Sequence, residues 1–328
     1  MDMWKTALKV DPIDCLLQTQ DKAVIYFTKR DLLDERTSPI ESLWELPTAQ
    51  KILKKQNEDG SWTYSGKTKE KCPRVKYALL ETYRNLGILI EKFGFSRENS
   101  HCRKAAEYCF SCQETEGDFR GIYENQYSPN YTAAIMELLV KAGYARDQRI
   151  EKGFTWLLSM RQSDDGWAIP IRTHNVGNTI EWFIENGSSE PLHPDISKPF
   201  SHMVTGIVLR AFASHPVHGR SEEAQKAGEL VASRFFLKDA YADRENTIYW
   251  EKTSFPFWFT DIVSALDSLS LVGFEKDHPQ IKKGLDWLKT TQQENGIFNL
   301  KLLRAGADKN IKYWVTLAIC RIFKRFFR

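Results

Sequence analysis

Two different signals recur in this chain and hold the same step. The glycines of KAGY (Gly143) and LVGF (Gly273) lie 130 residues apart, and so do the glutamines of SMRQSDDGW (Gln162) and TQQENGIF (Gln292). Unrelated segments have no reason to keep two signals in register over that distance, whereas a repeated structural unit does. Further copies of the glutamine signal are KKQNEDGSW at Gln56 and SCQETEGDF at Gln113, and NLGI at Gly87 resembles the glycine signal.

Between the signals, apolar residues return at three- and four-residue steps, as helices with one buried face require. Val75, Ala78, Leu79, Thr82 and Leu86 share one face. Ala134, Ile135, Leu138, Leu139 and Ala142 share another, and Phe259, Ile262, Val263, Leu266 and Leu269 a third. Strand patterning is nearly absent. The glycine signal reads as the left-handed close of one helix, and the glutamine signal as the end of a second. The spacing predicts first-type helices near 22–33, 72–87, 128–142, 199–214, 256–272 and 310–325. Second-type helices fall near 43–56, 100–113, 147–162, 220–236 and 277–292, with a short helix at 11–19 and an insertion from Ile169 to Lys198.

Such pairs cannot bury their apolar faces alone, so they stack into an open solenoid or close into a ring. A solenoid needs polar end caps. Here the first helix carries Ala23, Tyr26, Phe27 and Leu32, and the last carries Trp314, Leu317, Ala318 and Ile322. Two apolar ends favour closure. The expectation is an all-α chain, one domain over residues 1–328, forming a closed α/α toroid of five or six helix pairs.

Composition excludes several classes. The net charge of +3 comes from 46 basic and 43 acidic residues that interleave, so no nucleic-acid groove is expected. No apolar run reaches membrane-spanning length, and the polar start MDMWKTALKVDPID lacks a signal core, which points to the cytoplasm. Six cysteines in so long a chain do not read as a disulfide scaffold. The stretch HCRKAAEYCFSC, with Cys102, Cys109 and Cys112, leaves buried thiols, a metal site and redox use open.

The glutamine–glycine–aromatic signal resembles the QW motif of squalene and oxidosqualene cyclases. KGLDWLKTTQQENGIF (283–298) matches at Lys283, Gly284, Trp287, Leu288, Gln292 and Gly296, with Phe298 in place of the last Trp. KGFTWLLSMRQSDDGW (152–167) matches with small slips. The resemblance covers roughly residues 45–328 and extends to the terpene cyclase and protein prenyltransferase superfamily. The motif itself reads as structural. Its Gln is expected to bond exposed carbonyls of its own helix, its Gly to allow a tight turn, and its aromatic ring to cover the junction.

What the resemblance implies about chemistry is limited by what is missing. No Asp-x-Asp-Asp acid motif, DDxxD helix or Asp-x-Cys zinc element is present, and Asp164 and Asp165 of SDDG fall in a turn. No cofactor or metal is expected. The candidate catalytic residues are His202 in KPFSHMV and Asp261 in FPFWFTDIV, expected one turn into neighbouring first-type helices. The aromatic stretch AYADRENTIYWEKTSFPFWFTD before Asp261 reads either as a plug or as a lining, because ring faces attract cations and rings bind apolar chains. The candidate cavity lining is Tyr127, Tyr131, Tyr249, Trp250, Trp258, Tyr313 and Trp314, with Arg74 and Arg244 as candidate phosphate contacts. The function implied is an isoprenoid-handling protein that binds or transforms its ligand. The alternative is a non-catalytic toroid that binds a lipid or a protein. The last helix, IKYWVTLAICRIFKRFFR, carries an apolar stripe (Ile319, Ile322, Phe323, Phe326, Phe327) beside Arg321, Lys324, Arg325 and Arg328. That pattern reads as peripheral membrane contact or as the helix that closes the ring.

Overall fold

The computed structural model describes residues 3–66, 74–174, 176, 179–241, 245–303 and 308–328. Its helices in chain order are α1 (Met3–Thr6), α2 (Ile13–Leu17), α3 (Lys22–Phe27), α4 (Pro47–Leu53), α5 (Tyr77–Phe93), α6 (Ser100–Ser111), α7 (Pro129–Leu139) and α8 (Gln148–Ser159). There follow α9 (Pro170–Thr173), α10 (Thr179–Asn186), α11 (His202–Ser214), α12 (Glu222–Ser233), α13 (Ile262–Val272), α14 (Pro279–Thr290) and α15 (Ile311–Phe326). Strand structure among the described residues is a two-residue parallel pair, β1 (Lys252–Thr253) with β2 (Lys301–Leu302).

The chain forms a closed α/α toroid. Helices α3, α5, α7, α11, α13 and α15 make the inner wall. Each packs on the next, and α15 returns to α3. Helices α4, α6, α8, α12 and α14 lie outside. The sixth outer position is filled by α2, which packs against both α3 and α15, so the last pair is built from the two ends of the chain. The insertion between α8 and α11 carries α9 and α10.

The repeated glutamine does more than close its own helix. Gln56 Nε2 donates to the carbonyl of Gly60 four residues on and to that of His101 in the first turn of the next outer helix. Gln113 does the same with Gly117 and Arg149. Gln292 donates to Gly296 and to Val10, and its Oε1 accepts from the amides of Lys9 and Val10. The expected partners on the glutamine's own helix are therefore replaced by carbonyls of its neighbour, which makes the motif a rivet between repeats. Gln162 departs from the pattern because the insertion intervenes, and it binds the carbonyls of Asp195 and Lys198.

Glycine is required at these rivets for two reasons. Gly60 and Gly117 have positive φ, and a Cβ on either would lie 2.3 or 2.6 Å from a carbonyl oxygen of the next outer helix. The aromatic residue that follows is fixed by a partner that periodicity did not reveal. The amides of Trp62, Phe119, Trp167 and Phe298 donate to the hydroxyls of Thr82, Thr132, Thr205 and Thr316, each on the next inner helix. The indoles of Trp62 and Trp167 also cap carbonyls of their own outer helices, at Ile52 and Leu157.

Several boundaries differ from expectation. Gly87 does not stop α5, which runs on to Phe93 and closes at Gly94 with φ +63°. The glycine at 87 serves close approach instead, because a Cβ there would lie 2.7 Å from the Trp258 ring. Gly143 and Gly273 do take left-handed backbone, at φ +101° and +94°. Helix α13 begins at Ile262 rather than near 256, and Phe255–Pro256 is a cis peptide. The apolar stripe of α15 faces the ring: Ile319, Ile322 and Phe323 are fully buried, Phe326 is buried and Phe327 stacks on Phe323. That stripe is thus unavailable for the membrane contact considered from the sequence. No described helix is long and apolar enough to cross a membrane.

Trp167 is fully buried, donates its indole N–H to Leu157 and packs on Phe212. Trp167→Ala is expected to destabilise the protein by about 3–5 kcal/mol in denaturant unfolding, through the cavity and the lost hydrogen bond. A change within about 0.5 kcal/mol would remove the ring from any structural role.

Candidate functional site

The inner helices begin at the riveted end of the toroid, and most of the candidate residues stand there. Asp261 is the N-cap of α13. Its carboxylate accepts from the amides of Val263 and Ser264, and Ser264 Oγ accepts from the Asp261 amide to complete a capping box. It sits one position before the helix, not one turn inside it. The side chain is 1% exposed, and burial pushes its carboxyl up to about 7 although the two amides and Arg210 pull the other way.

His202 is the first residue of α11. Its ring stacks on Trp250 at 4.6 Å, and its Nε2 faces Asp239 at 3.8 Å. Asp239 is itself tied to Ser201 Oγ and the Met203 amide. The two candidate catalytic residues are therefore not partners of one another: His202 faces Asp239, and Asp261 caps α13. Burial lowers the His202 pKa more than Asp239 raises it, so the ring is held neutral, and its Nδ1 has no protein partner.

The segment between β1 and α13 enters the ring. Phe255 stacks on Trp314 at 5.4 Å, and Thr260 Oγ1 donates to the Met203 carbonyl, against Gly206 of α11. Trp258 crosses the lumen to meet Tyr83 at 5.2 Å and Gly87 of α5. Tyr131 stands edge-on to Tyr83, and Tyr123 edge-on to Tyr131. Trp258, Tyr83, Tyr131 and Tyr123 form one aromatic group inside the toroid, and Phe255 with Trp314 a separate stack.

The remaining candidates are dispersed. Trp250 is buried and donates to the Leu237 carbonyl, and Trp314 donates to Asp21. Tyr127 turns outward, donating to Glu116 and packing on Trp156 of α8. Tyr249 lies under Lys252, and Tyr313 under Lys312. Arg74 is engaged by Glu124, Ser188 and the Ile184 carbonyl, so it anchors the insertion. Arg244 lies outside the described residues.

Two ligand-like clusters prove structural. Cys102, Cys109 and Cys112 are free, buried thiols whose pKa burial raises, to about 12 for Cys102, and His101 bonds Gln56 instead of joining them. Glu151, His215 and His218 bring ligand atoms within 4.8 Å of one another. His215 Nδ1, however, accepts from the amides of Val217 and His218, which leaves Nε2 to donate to the Ala145 carbonyl. With both nitrogens engaged, only two ligands remain, too few for a metal centre.

Sequence reasoning missed a buried ionic chain. Arg210 Nε donates to Glu137 at 3.0 Å, and Lys141 bridges Glu137 and Glu91 at 2.7 and 2.5 Å, which links α11, α7 and α5. Burial raises the Glu137 carboxyl, but Arg210 and Lys141 outweigh it and leave it below its usual range. One signal was available: Arg210 is the lone charge in HMVTGIVLRAFAS, a helix apolar on all sides. The chain leads to a basin at the far end of the ring, about 510 Å³ in volume, where Lys141 and Glu91 meet residues of α3 and α15.

A profile of the squalene-hopene cyclase C-terminal domain matches residues 123–301. A squalene–hopene cyclase from Bradyrhizobium diazoefficiens is 25% identical over 187 residues, 53% of this chain and 25% of that protein, so the chain spans about a quarter of its curated relative. Among solved structures, a protein from Actinoplanes aligns over 88% of this chain and 87% of its own, at 14% identity and TM-score 0.44. A family 88 glycosyl hydrolase from Bacteroides vulgatus aligns over 93% and 90%, at 13% and 0.46. The type II terpene cyclase MstE from Scytonema aligns over 87% and 96%, at 11% and 0.32.

The raised Asp261 pKa has a definite sign. The unfolded chain releases this proton near pH 4, while the folded protein holds it to about 7. The stability it contributes is complete below pH 4 and is lost as pH rises through 7. Asp261→Asn, which still accepts a capping bond, is expected to flatten that decline by a few kcal/mol, roughly 4 at most. Parallel stability profiles of the two proteins between pH 4 and 8 would show that Asp261 is ionised in the fold.

Proposed function

Because this chain belongs to the squalene-hopene cyclase C-terminal domain family, we propose that residues 1–328 act as one toroidal domain that holds an isoprenoid against the aromatic group in its lumen. The observation that carries this reading is the meeting of Tyr83, Tyr123, Tyr131 and Trp258 inside the ring. Clustered rings offer an apolar wall to a hydrocarbon chain and electron-rich faces to positive charge developing on it. Entry requires the Trp258 ring to leave its contact with Gly87.

Asp261, at the foot of the same segment, is the candidate proton donor. A carboxyl that keeps its proton to about pH 7 suits acid-initiated chemistry on an alkene. His202 has the lesser part of holding Trp250 in place by stacking. A second reading, non-catalytic binding, is favoured by the capping bonds that already occupy the Asp261 carboxylate.

The test is incubation of the protein with squalene and shorter isoprenoids, followed by extraction and mass spectrometry, with binding followed by tryptophan fluorescence. Expected outcomes are a bound isoprenoid, binding weakened at least about tenfold by Trp258→Ala, and product lost in Asp261→Asn while binding persists. Binding without product in the unaltered protein supports the non-catalytic reading. Product formation by Asp261→Asn refutes the acid role, and absence of any bound isoprenoid refutes the whole proposal.

A further inference from the structure

The basin at the far end of the ring has a chemistry of its own. Its wall carries six cations: Arg30, Lys141, Arg321, Lys324, Arg325 and Arg328. It carries three carboxylates, Asp31, Asp34 and Glu91. Each carboxylate already has a cation partner. Asp31 is held by Arg30 and Arg321, each at 2.5 Å, Asp34 by Lys324 at 2.6 Å, and Glu91 by Lys141 at 2.5 Å. Arg325 is paired with Asp267 and with Ser270 Oγ.

Donors remain after these pairs are made. A guanidinium offers five N–H groups and accepts nothing. Among the described residues, Arg30 hydrogen-bonds through its Nε alone, Arg321 hydrogen-bonds only Asp31, and Arg325 leaves Nη1 without a hydrogen bond. Arg328 makes no ion pair or side-chain hydrogen bond among the described residues, and it is exposed. The basin therefore sets six cations against three carboxylates and has donors to spare, so a complementary ligand carries acceptors and negative charge.

A competing explanation is that the cations serve the helix ends. Inner helices finish at this end, where their carbonyls carry partial negative charge. That account fits Lys324, which donates to the carbonyls of Asp31 and Leu32. It does not fit the four arginines, whose side-chain bonds here go to no helix carbonyl. Planar forks that line a cavity match the geometry of phosphoryl oxygens.

The basin's volume of about 510 Å³ lies within the range of small-ligand sites. Part of its wall is apolar, from Phe27 and Ile90. Arg30 and Arg321 lie over the Phe27 ring, at 4.6 and 5.1 Å, which holds both guanidinium planes in place. The geometry points to a binding site for a diphosphate group, free or as an ester, held by Arg30, Arg321, Arg325 and Arg328. This site lies at the opposite end of the inner helices from Asp261 and stands whether or not the lumen takes an isoprenoid.

Titration calorimetry on the full chain at physiological salt tests it, with inorganic diphosphate, sulfate and a short alkyl diphosphate as probes. Diphosphate is expected to bind more tightly than sulfate at matched ionic strength. The double substitution Arg30→Gln with Arg328→Gln is expected to weaken diphosphate binding at least about tenfold. Lys226→Gln with Lys238→Gln, which removes the same charge from exposed outer positions, is expected to leave it within about twofold. Should the double arginine variant fold poorly, Arg328→Gln alone breaks no ion pair or side-chain hydrogen bond among the described residues and is expected to weaken binding measurably. Tighter binding of the alkyl ester identifies an organic diphosphate that uses Phe27 and Ile90, and equal binding identifies the free anion. The inference is overturned by no diphosphate binding, by sulfate binding as tightly, or by equal losses in the arginine and lysine variants.

Discussion

One side-chain amide that bonds two carbonyls at once holds this architecture together. Gln56, Gln113 and Gln292 each join the turn after one outer helix to the start of the next. The bond fixes the angle between neighbouring pairs, and the glycine beneath it sets their separation because no Cβ fits there. Angle and separation, repeated around the axis, decide whether a stack of helix pairs opens or closes. Here the last rivet lands on Val10, and the stack closes.

The lumen that results has two unlike halves. At the riveted end, Phe255, Trp258, Trp314 and the tyrosines pack ring on ring. At the other end, ion pairs cross between the inner helices and the turns that continue them, from α15 to the turn after α3 through Arg321–Asp31, from α15 to α13 through Arg325–Asp267, and from the turn after α7 to α5 through Lys141–Glu91. Buried charge of this kind is poor glue compared with hydrocarbon, but it is costly to break by halves. It therefore fixes the relative rotation of the helices, a property that apolar faces alone leave loose.

The ring was legible in the sequence because its determinants repeat. Gly143 and Gly273 kept the same 130-residue step as Gln162 and Gln292, and the apolar faces of α3 and α15 signalled closure. The candidate site was legible only in part. Trp258 and Tyr131 each meet Tyr83, a residue not among the candidates, whereas Tyr127 faces α8 and Arg74 faces the insertion. Rings near helix starts can point along several directions, and helical period does not choose among them at the first turn. Gly87 misled for a related reason, since a glycine needed for close packing reads like one needed for a turn. The charges of the far end were overlooked because Glu137 and Lys141 look like solvated residues until the ring places them inward.

Pairing the two ends of the chain has a kinetic consequence. The Gln292–Val10 bond joins residues 282 positions apart, and α15 supplies the inner partner of α2. An open array of helix pairs can nucleate anywhere and grow by neighbours. A ring whose seam unites its earliest and latest helices finishes only when α15 arrives, so its slowest step is a search over most of the polypeptide. Until then α2 and α3 wait with an apolar flank uncovered.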